Sequence, residues 1–296
     1  MGSGGQVFGL CSYKGREGLD FYLRLIFDEL DPEIDDLWAI QNALIAEFVN
    51  RQEMESEDLG VIKDLGLRFR GKNNYPQFRS HLPGYCPWFL KEDEAVYLTF
   101  ALECACDYVA RIKNNPEVLE PPDGSHYFTY YPVEGDKGGR FECRWDTPKP
   151  FKKKKVIVPP TNELQLKRIK NKNLRKDSSW EIGTFYTPTA IADKDRPYWV
   201  RLCLIARQDG GFIVNMDPMD PEISEEEQIR ATFLKAIEKS SSVPDTIATI
   251  DENLVGLLEP IAHQFKTQVA FVRDLPAVFE AKHEISRASM MDFPLK

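Results

Sequence analysis

The sequence predicts an α/β (α+β) protein, with a mainly helical N-terminal domain that has short strands at its ends and a βββ-α-β-α-β-α C-terminal domain. Three observations support this prediction. The charge changes sign along the chain, apolar residues recur at helical spacing in much of the first half, and strand-like and helical runs alternate after residue 177. The 296 residues, of which 42% are hydrophobic and 29% charged, are enough for two domains with buried cores.

The distribution of charge predicts the domain boundaries. Residues 1–150 carry 26 acidic and 16 basic side chains, and residues 177–296 carry 20 and 12. Between them, residues 151–176 carry ten basic side chains and a single acidic one, and four prolines lie in or near this segment. We therefore predict two domains, 1–150 and 177–296, joined by a solvated basic linker over residues 151–176.

The elements of the N-terminal domain follow from local patterns. Residues 5–13 read as a strand, and residues 21–27 as a helix. Asp31 and Pro32 are typical of a helix start. The spacing of the apolar residues that follow predicts one long amphipathic helix, marked by Ile34, Leu37, Trp38, Leu44, Ile45 and Phe48. Ser56 predicts the cap of a short helix, residues 92–113 a further helix, and residues 126–147 a β-hairpin.

The C-terminal domain has the clearer pattern. Residues 180–191, 198–206, 211–216, 246–250 and 268–272 read as strands, with a Gly210-Gly211 turn between the second and third. Ser224 and Glu227 form a capping box at the first helix, a second helix follows Asp251, and a third begins at Leu275. Helical connections between the last three strands predict that these strands are parallel. This order of elements is the one used by RNase H-like folds.

Several classes of protein are disfavoured by the sequence. The six cysteines lack the spacing of a zinc site, and the N-terminus lacks the basic and apolar regions of a secretory signal. No run of about 18 apolar residues exists to span a membrane. We therefore expect a cytoplasmic protein with free thiols, no membrane partner and no cofactor.

Residues 65–91 form the first candidate site, for anions or nucleic acid. This segment has no acidic residue, five basic residues and six aromatic ones, and such a mixture can hold phosphates and stack bases. The candidate residues are Arg68, Arg70, Lys72, Arg79, Tyr85 and Trp88. The alternative is a lid of packed aromatic side chains whose arginines pair with acidic residues. The basic linker is a second, less specific candidate for nucleic-acid contact.

Three aspartates form the third candidate site. Asp217, Asp251 and Asp274 each follow a predicted strand, so parallel strands would bring them to one edge of the sheet. Three convergent carboxylates could bind Mg²⁺ for phosphodiester hydrolysis. RNase H-like nucleases also need an acid within the first strand, and this strand offers only Glu181, at its start. Helix capping and turn formation are the alternative roles for these aspartates.

Four segments carry a family resemblance. The segments YKGREGL and FRGKNNYPQFRSHLPGYCPW in the first domain, with PDTIATIDENLVGLLEPIA and VRDLP in the second, resemble a bacterial family of paired domains of unknown function. The resemblance implies a bacterial, cytosolic setting and implies no mechanism. If members of that family begin further upstream, this chain is an N-terminally shortened example.

The functional expectation is a non-enzymatic binding or interaction module. Its expected partner is another protein, or weakly bound nucleic acid that contacts the segment from Arg68 to Trp88 and the basic linker. The alternative is a divergent, Mg²⁺-dependent RNase H-like nuclease or nucleic-acid-processing protein that uses the three aspartates.

Overall fold

The chain forms two compact units whose boundaries do not follow the chain in order. The computed structural model describes residues 9–31, 35–133, 141–147, 158–160, 163–192 and 195–292. Unit 1 comprises Met1–Glu29, Gln41–Leu82 and Pro87–Lys152, and unit 2 comprises Leu30–Ile40, Pro83–Cys86 and Lys153–Lys296. Unit 2 therefore includes two short segments from the first 90 residues. Within the described ranges, no helix is both long and apolar enough to cross a membrane.

Unit 1 combines helices with two small antiparallel sheets. Its elements are β1 (Gly9–Tyr13), α1 (Gly15–Ile26), β2 (Ala43–Val49), α3 (Ser56–Asp64), β3 (Tyr75–His81), α4 (Glu92–Asn114), β4 (Tyr127–Pro132) and β5 (Phe141–Asp146), and α2 (Leu37–Ile40) belongs to unit 2. One sheet has the order β1-β2-β3, and β4 and β5 form the predicted hairpin. Leu98 of α4 packs against Leu44 and Ala46 of β2, which makes the core of the first sheet.

The long helix predicted from Asp31 to Phe48 is wrong. Only Leu37–Ile40 is helical, and Ala43–Val49 is the central strand of a sheet, hydrogen-bonded to β1 and β3. A short apolar run that is buried in a sheet can mimic helical spacing, because both of its faces carry apolar residues. Strands β2 and β3 also lie in the middle of the region, where the sequence predicts none. Pro32 and Ile34 lie outside the described residues.

Unit 2 is built on one five-stranded sheet. After α2 its elements are α5 (Glu163–Lys170), β6 (Arg175–Asp177), β7 (Trp180–Ile191), β8 (Tyr198–Arg207), β9 (Ile213–Met219), α6 (Glu225–Ser240), β10 (Ser242–Pro244), β11 (Thr246–Thr249), α7 (Glu252–Ala262), β12 (Gln268–Phe271) and α8 (Pro276–Asp292). The sheet order is β12-β11-β7-β8-β9, and β6 and β10 form a separate parallel pair.

The strand directions give this sheet one shared carboxyl edge. Strand β11 is parallel to β7 and β12, whereas β8 is antiparallel to β7 and to β9. Four of the five strands therefore point the same way, and the predicted parallel direction of β9, β11 and β12 is confirmed. The carboxyl ends of these four strands lie at the same edge of the sheet, together with the start of β8.

Two hydrophobic cores cover the two faces of the sheet. On one face, Trp180 and Ile205 pack with Phe233 of α6 and with side chains of α5 and α7. On the other face, Leu204 packs with Val278 of α8. Successive residues of β8 therefore point into different cores, which is the two-residue period of a strand.

The basic segment is more structured than the solvated linker that the sequence predicts. Residues 163–170 form α5, whose Ile169 is fully buried in the core with α6 and α7. Arg168 and Lys172 both form ion pairs with Glu238. At residues 163–176 the structure differs from the expected linker without fixed partners, because Ile169 is buried and these basic side chains have an acidic partner. Residues 152–155 lie outside the described residues.

Candidate functional site

Two cavities open in unit 2 near the carboxyl edge of its sheet. The larger has a volume of about 270 Å³ and lies on the face covered by α6. The smaller has a volume of about 140 Å³ and lies on the face covered by α8, beside the end of β11. In open α/β sheets the carboxyl edge is the usual place for a ligand.

Aromatic side chains form much of the wall of the larger cavity. Tyr186 comes from β7, Tyr198 and Trp199 come from the start of β8, and Tyr85 comes from the inserted segment Pro83–Cys86. The rings of Tyr85 and Tyr198 meet edge to face, with 6.4 Å between their centroids. Residues 219–223 and the first two turns of α6 complete the lining.

Gly84 allows the inserted segment to approach the sheet. Its backbone N–H donates to the Ala39 carbonyl at 2.7 Å, and its carbonyl accepts from the Trp199 N–H at 2.9 Å. Gly84 has a φ of +83°, and a Cβ atom there would lie 3.1 Å from the Tyr186 hydroxyl oxygen. Glycine therefore meets both the backbone conformation and the close approach that this wall of the cavity needs.

Arg201 is held rigidly at the base of the same cavity. Its two terminal nitrogens donate to the two carboxylate oxygens of Glu225, each at 2.7 Å, and one of them also donates to the Thr184 hydroxyl at 2.9 Å. The guanidinium lies over the ring of Tyr186, 5.3 Å from its centroid. Such a bidentate pair fixes the plane of the guanidinium.

Two buried N–H groups in this lining have no acceptor. The indole Nε1 of Trp199 and the Nε of Arg201 are both inaccessible to water and have no hydrogen-bond partner among the described residues. A buried donor without an acceptor costs ~1–3 kcal/mol. Each of these donors lacks an acceptor in this chain, and a ligand would reach either nitrogen only after a small movement of the side chains that cover it.

The second inserted segment, Leu30–Ile40, is attached beside the cavities. One carboxylate oxygen of Asp36 accepts from the Tyr186 backbone N–H at 2.7 Å, and the other forms an ion pair with Lys282 of α8 at 2.9 Å. The side chains of Asp36 and Lys282 are only 10% and 13% exposed. Trp38 meets Trp199 edge to face, with 4.8 Å between the ring centroids.

Asp217, the first of the three predicted carboxylates, is held by hydrogen bonds to its neighbours. Asp217 accepts hydrogen bonds from Asn215, Thr232 and Lys235. Burial alone would raise the pKa of Asp217, but these hydrogen bonds outweigh it and lower the pKa. No group of three histidine, cysteine or acidic side chains in the described residues is arranged to hold a metal ion.

The other two aspartates lie at the starts of helices. Asp251 is the N-cap of α7, and its carboxylate accepts from the Asn253 backbone N–H at 2.8 Å, which confirms the capping alternative at this position. Asp274 lies in the connection between β12 and α8. Lys282, which is paired with Asp36, lines the smaller cavity together with Asp251.

Glu181, the acid of the first strand, has a structural contact. It is 1% exposed in β7, and one carboxylate oxygen accepts from the Val278 backbone N–H at 3.0 Å, in the first turn of α8. Burial raises the pKa of Glu181, and the nearby Asp274 adds to this rise, although backbone N–H groups of α8 oppose it. A carboxyl group with a raised pKa is a poor ligand for a divalent cation.

The structure separates the residues of the predicted anion site. Arg68, Arg70 and Lys72 are exposed in the segment between α3 and β3. Arg79, by contrast, is buried and bonded to Asp58 and Glu55, as the alternative of pairing with acidic residues predicts.

The two remaining aromatic candidates fall in different units. Trp88 pairs with Ser80 in unit 1, through backbone hydrogen bonds of 2.8 and 3.0 Å. Tyr85 belongs to unit 2 and lines the larger cavity. Tyr85 is therefore the single member of the predicted set that lines this cavity.

The sequence contains one signal for the other cavity residues. In YWVRLCLIA, Trp199, Arg201 and Cys203 alternate with aliphatic residues, so they lie on one face of β8. An arginine on a strand face that is otherwise apolar indicates a polar site. The sequence cannot, however, reveal that residues 83–86 lie against the same strand.

Two family models, both of domains of unknown function, match the chain. Residues 1–130 match the family model of the domain of unknown function DUF7309, and residues 165–286 match that of DUF6930. The predicted pairing of two domains of unknown function is thereby confirmed. The second match begins within α5, in agreement with the packing of α5 in unit 2. No curated protein matches the chain.

Proposed function

We propose that this protein is a non-enzymatic binding module and that the larger cavity of unit 2 is its ligand site. The observation that carries the proposal is the lining of this cavity, in which aromatic walls surround the unpartnered N–H groups of Trp199 and Arg201. Pockets with aromatic walls and a few fixed polar groups are typical of small-ligand sites. A ligand acceptor would offset the cost of burying these donors.

The topology of unit 2 supports an RNase H-like arrangement. The order β9-β8-β7-β11-β12, with β8 antiparallel and helices after β9, β11 and β12, agrees with that arrangement. The position of both cavities at the carboxyl edge agrees with ligand binding there. In residues 1–150, the lengths of α1, α3 and α4 support a mainly helical description, despite the central strands.

The nuclease alternative has less support. A two- or three-carboxylate Mg²⁺ site needs oxygen ligands that converge with little competition from cations. Here Asp217 is bonded to Lys235, Asp251 caps a helix, and Lys282 lies beside it. The residues at this edge therefore do not fit Mg²⁺, and we derive no catalytic step from it.

The setting that we propose is the cytoplasm of a bacterium. All six cysteines are free, and Cys11 and Cys106 are exposed. Exposed free thiols favour a reducing compartment. The bacterial origin rests on the family resemblance of the sequence.

A small-molecule fragment screen on the full chain tests the binding proposal. The signal is the Trp199 indole N–H resonance in a ¹H–¹⁵N spectrum, assigned with Trp199→Phe. We expect a subset of ring-containing fragments to shift this resonance. Ile223→Trp, which places a larger side chain in the cavity lining, should abolish those shifts, whereas Phe212→Trp, at an exposed position in the β8–β9 turn, should preserve them.

Two results would contradict the proposal. One is a screen in which fragments shift other resonances and leave Trp199 unchanged. The other is a nucleic-acid cleavage activity that requires Mg²⁺ or Mn²⁺ and is lost in Asp251→Asn, since this substitution keeps a capping side chain and removes the charge.

A further inference from the structure

We infer that the larger cavity binds a flat heteroaromatic ring that carries hydrogen-bond acceptors and no phosphate beside the ring, as in a nucleobase or nucleoside. This inference rests on the proposed ligand site and adds the chemical class of its ligand. It follows from four properties of the lining: its rings, its cations, its unpartnered donors and its carboxylates.

The rings favour a flat ligand. Tyr85, Tyr186, Tyr198 and Trp199 all line the cavity, and flat rings stack on such side chains with little dependence on substituents. The volume, about 270 Å³, lies just below the range of ~300–1,000 Å³ that is usual for ligand pockets. The cavity is therefore suited to one ring system and not to an extended polymer.

The cations oppose the other ligand class that aromatic walls attract. Aromatic cages bind quaternary ammonium groups by offering free ring faces. Here Arg201 already lies over Tyr186, and Arg196 lies 5.8 Å from the centroid of Tyr85. Arg196 is fixed there by a 2.9 Å hydrogen bond to the Cys86 carbonyl. Two of the four lining rings, Tyr85 and Tyr186, therefore already have an arginine near the ring face, which disfavours an ammonium ligand.

The unpartnered donors favour a ligand that carries acceptors, once the side chains that cover these nitrogens move aside. Trp199 Nε1 and Arg201 Nε are buried N–H groups in adjacent positions of one strand face. Arg201 cannot turn away, because Glu225 and Thr184 hold its other nitrogens. Ring nitrogens and carbonyl oxygens of a nucleobase are acceptors of this kind, and stacking on arginine and aromatic planes is how extruded bases are recognised.

The carboxylates oppose a phosphate at the same place. Asp220 and Glu225 both line the cavity, and Arg201 neutralises one of these charges. A second anionic group would meet the remaining negative charge, and among the described lining residues the one cation, Arg201, is already paired with Glu225. The ring of an uncharged nucleoside therefore fits better than that of a nucleotide.

The test is a titration of the full chain with guanosine, in which the Trp199 indole N–H resonance is the measured signal. The O6 and N7 atoms of guanosine offer two neighbouring acceptors. We expect saturable binding, with 5′-GMP weaker than guanosine. Trp199→Phe keeps a ring and removes the donor, and should weaken binding about 3- to 10-fold when followed by calorimetry. Trp38→Phe, whose ring touches Trp199 outside the lining, is the matched control and should change affinity less than about 2-fold.

A second variant keeps the test decisive if Trp199→Phe unfolds. Tyr85→Ala removes a stacking ring from the short inserted segment and should weaken guanosine binding about 10-fold. Saturable binding of tetramethylammonium at Trp199, with no response to guanosine, would overturn the inference and leave the ligand site intact. GMP binding more tightly than guanosine would also overturn it. The absence of any response at Trp199, to these probes and to fragments, would refute the site itself.

Discussion

Replacement of Arg79 by alanine should strongly destabilise unit 1. The two terminal nitrogens of Arg79 lie 2.6 and 2.9 Å from the carboxylate oxygens of Asp58, and the two side chains are 8% and 12% exposed. The guanidinium also lies 4.8 Å from the ring centroid of Phe89. Removal of one partner leaves the other charge buried and uncompensated, which costs ~3–5 kcal/mol.

Hydrogen exchange followed by mass spectrometry measures this loss within the intact chain. Because each 1.36 kcal/mol changes an equilibrium tenfold, amides of β2 and β3 should exchange about 150- to 5,000-fold faster in Arg79→Ala. Amides of β8 in unit 2 serve as the internal standard. Arg68→Ala is the matched control, since Arg68 is exposed, and it should cost less than ~0.5 kcal/mol.

The pH dependence separates an ion pair from simple loss of packing. Burial would raise the pKa of Asp58, but hydrogen bonds from Arg79 and the Glu55 backbone, with the charge of Arg79, lower it below its ordinary value. The carboxylate therefore stabilises the wild type above its unfolded pKa, and this stabilisation is lost as the pH falls through the lower folded pKa.

In Arg79→Ala the burial of Asp58 remains and the cation is gone, so the pKa of Asp58 should rise. Protonation then removes the uncompensated charge of Asp58 in the variant. The free energy of unfolding that the variant loses relative to the wild type should therefore be smaller at pH 4 than at pH 7. Equal protection of the β2 and β3 amides from hydrogen exchange in the two proteins at pH 7 would refute the reasoning. A loss of stability in the variant that grows on acidification would refute it as well. A ligand-binding role for Arg79, as in the sequence hypothesis, would leave its removal nearly neutral for stability.

Three further predictions concern unit 2. Ile169→Ala should cost ~2–5 kcal/mol in urea denaturation, whereas Leu164→Ala on the same helix, at an 80% exposed position, should be nearly neutral; equal effects would restore the linker interpretation. Asp251→Ala should destabilise by ~0.5–2 kcal/mol through loss of the cap, and a stabilised variant would indicate carboxylates that repel one another. Burial raises the pKa of the Cys203 thiol to about 12, so iodoacetamide at pH 8 should label exposed Cys106 and spare Cys203. Mass spectrometry measures the labelling of each cysteine, and comparable labelling of the two would contradict this prediction.

The strands of the five-stranded sheet and the helices that follow them could be predicted because their signals are local. The Gly210-Gly211 turn has positive φ at both glycines, and Ser224 caps α6 through a hydrogen bond from the Glu227 N–H, as their sequence positions indicate. The helices between later strands likewise require parallel strands. Each of these features depends on residues within a few positions of one another.

The misassigned elements depend on contacts between distant residues. Whether Leu44 belongs to a helix or a strand is decided by pairing with Ser12 and Ser80, which no local pattern encodes. The cavity has the same origin, since Gly84 meets Trp199 across more than a hundred residues. A shared sheet edge likewise does not reveal which other side chains bind the predicted carboxylates, such as Lys235 at Asp217.

The two short segments of unit 2 that come from the first 90 residues have a consequence for gene recombination. A recombination event between residues 130 and 165 would separate the two family regions as neatly as their sequence matches suggest. The downstream product would nonetheless lose Asp36, the counter-ion of the largely buried Lys282, and the Gly84 carbonyl that accepts from the Trp199 backbone N–H. Such a gene fragment would encode an incomplete unit 2, so the boundary between the two family regions is not a boundary between independent structural units.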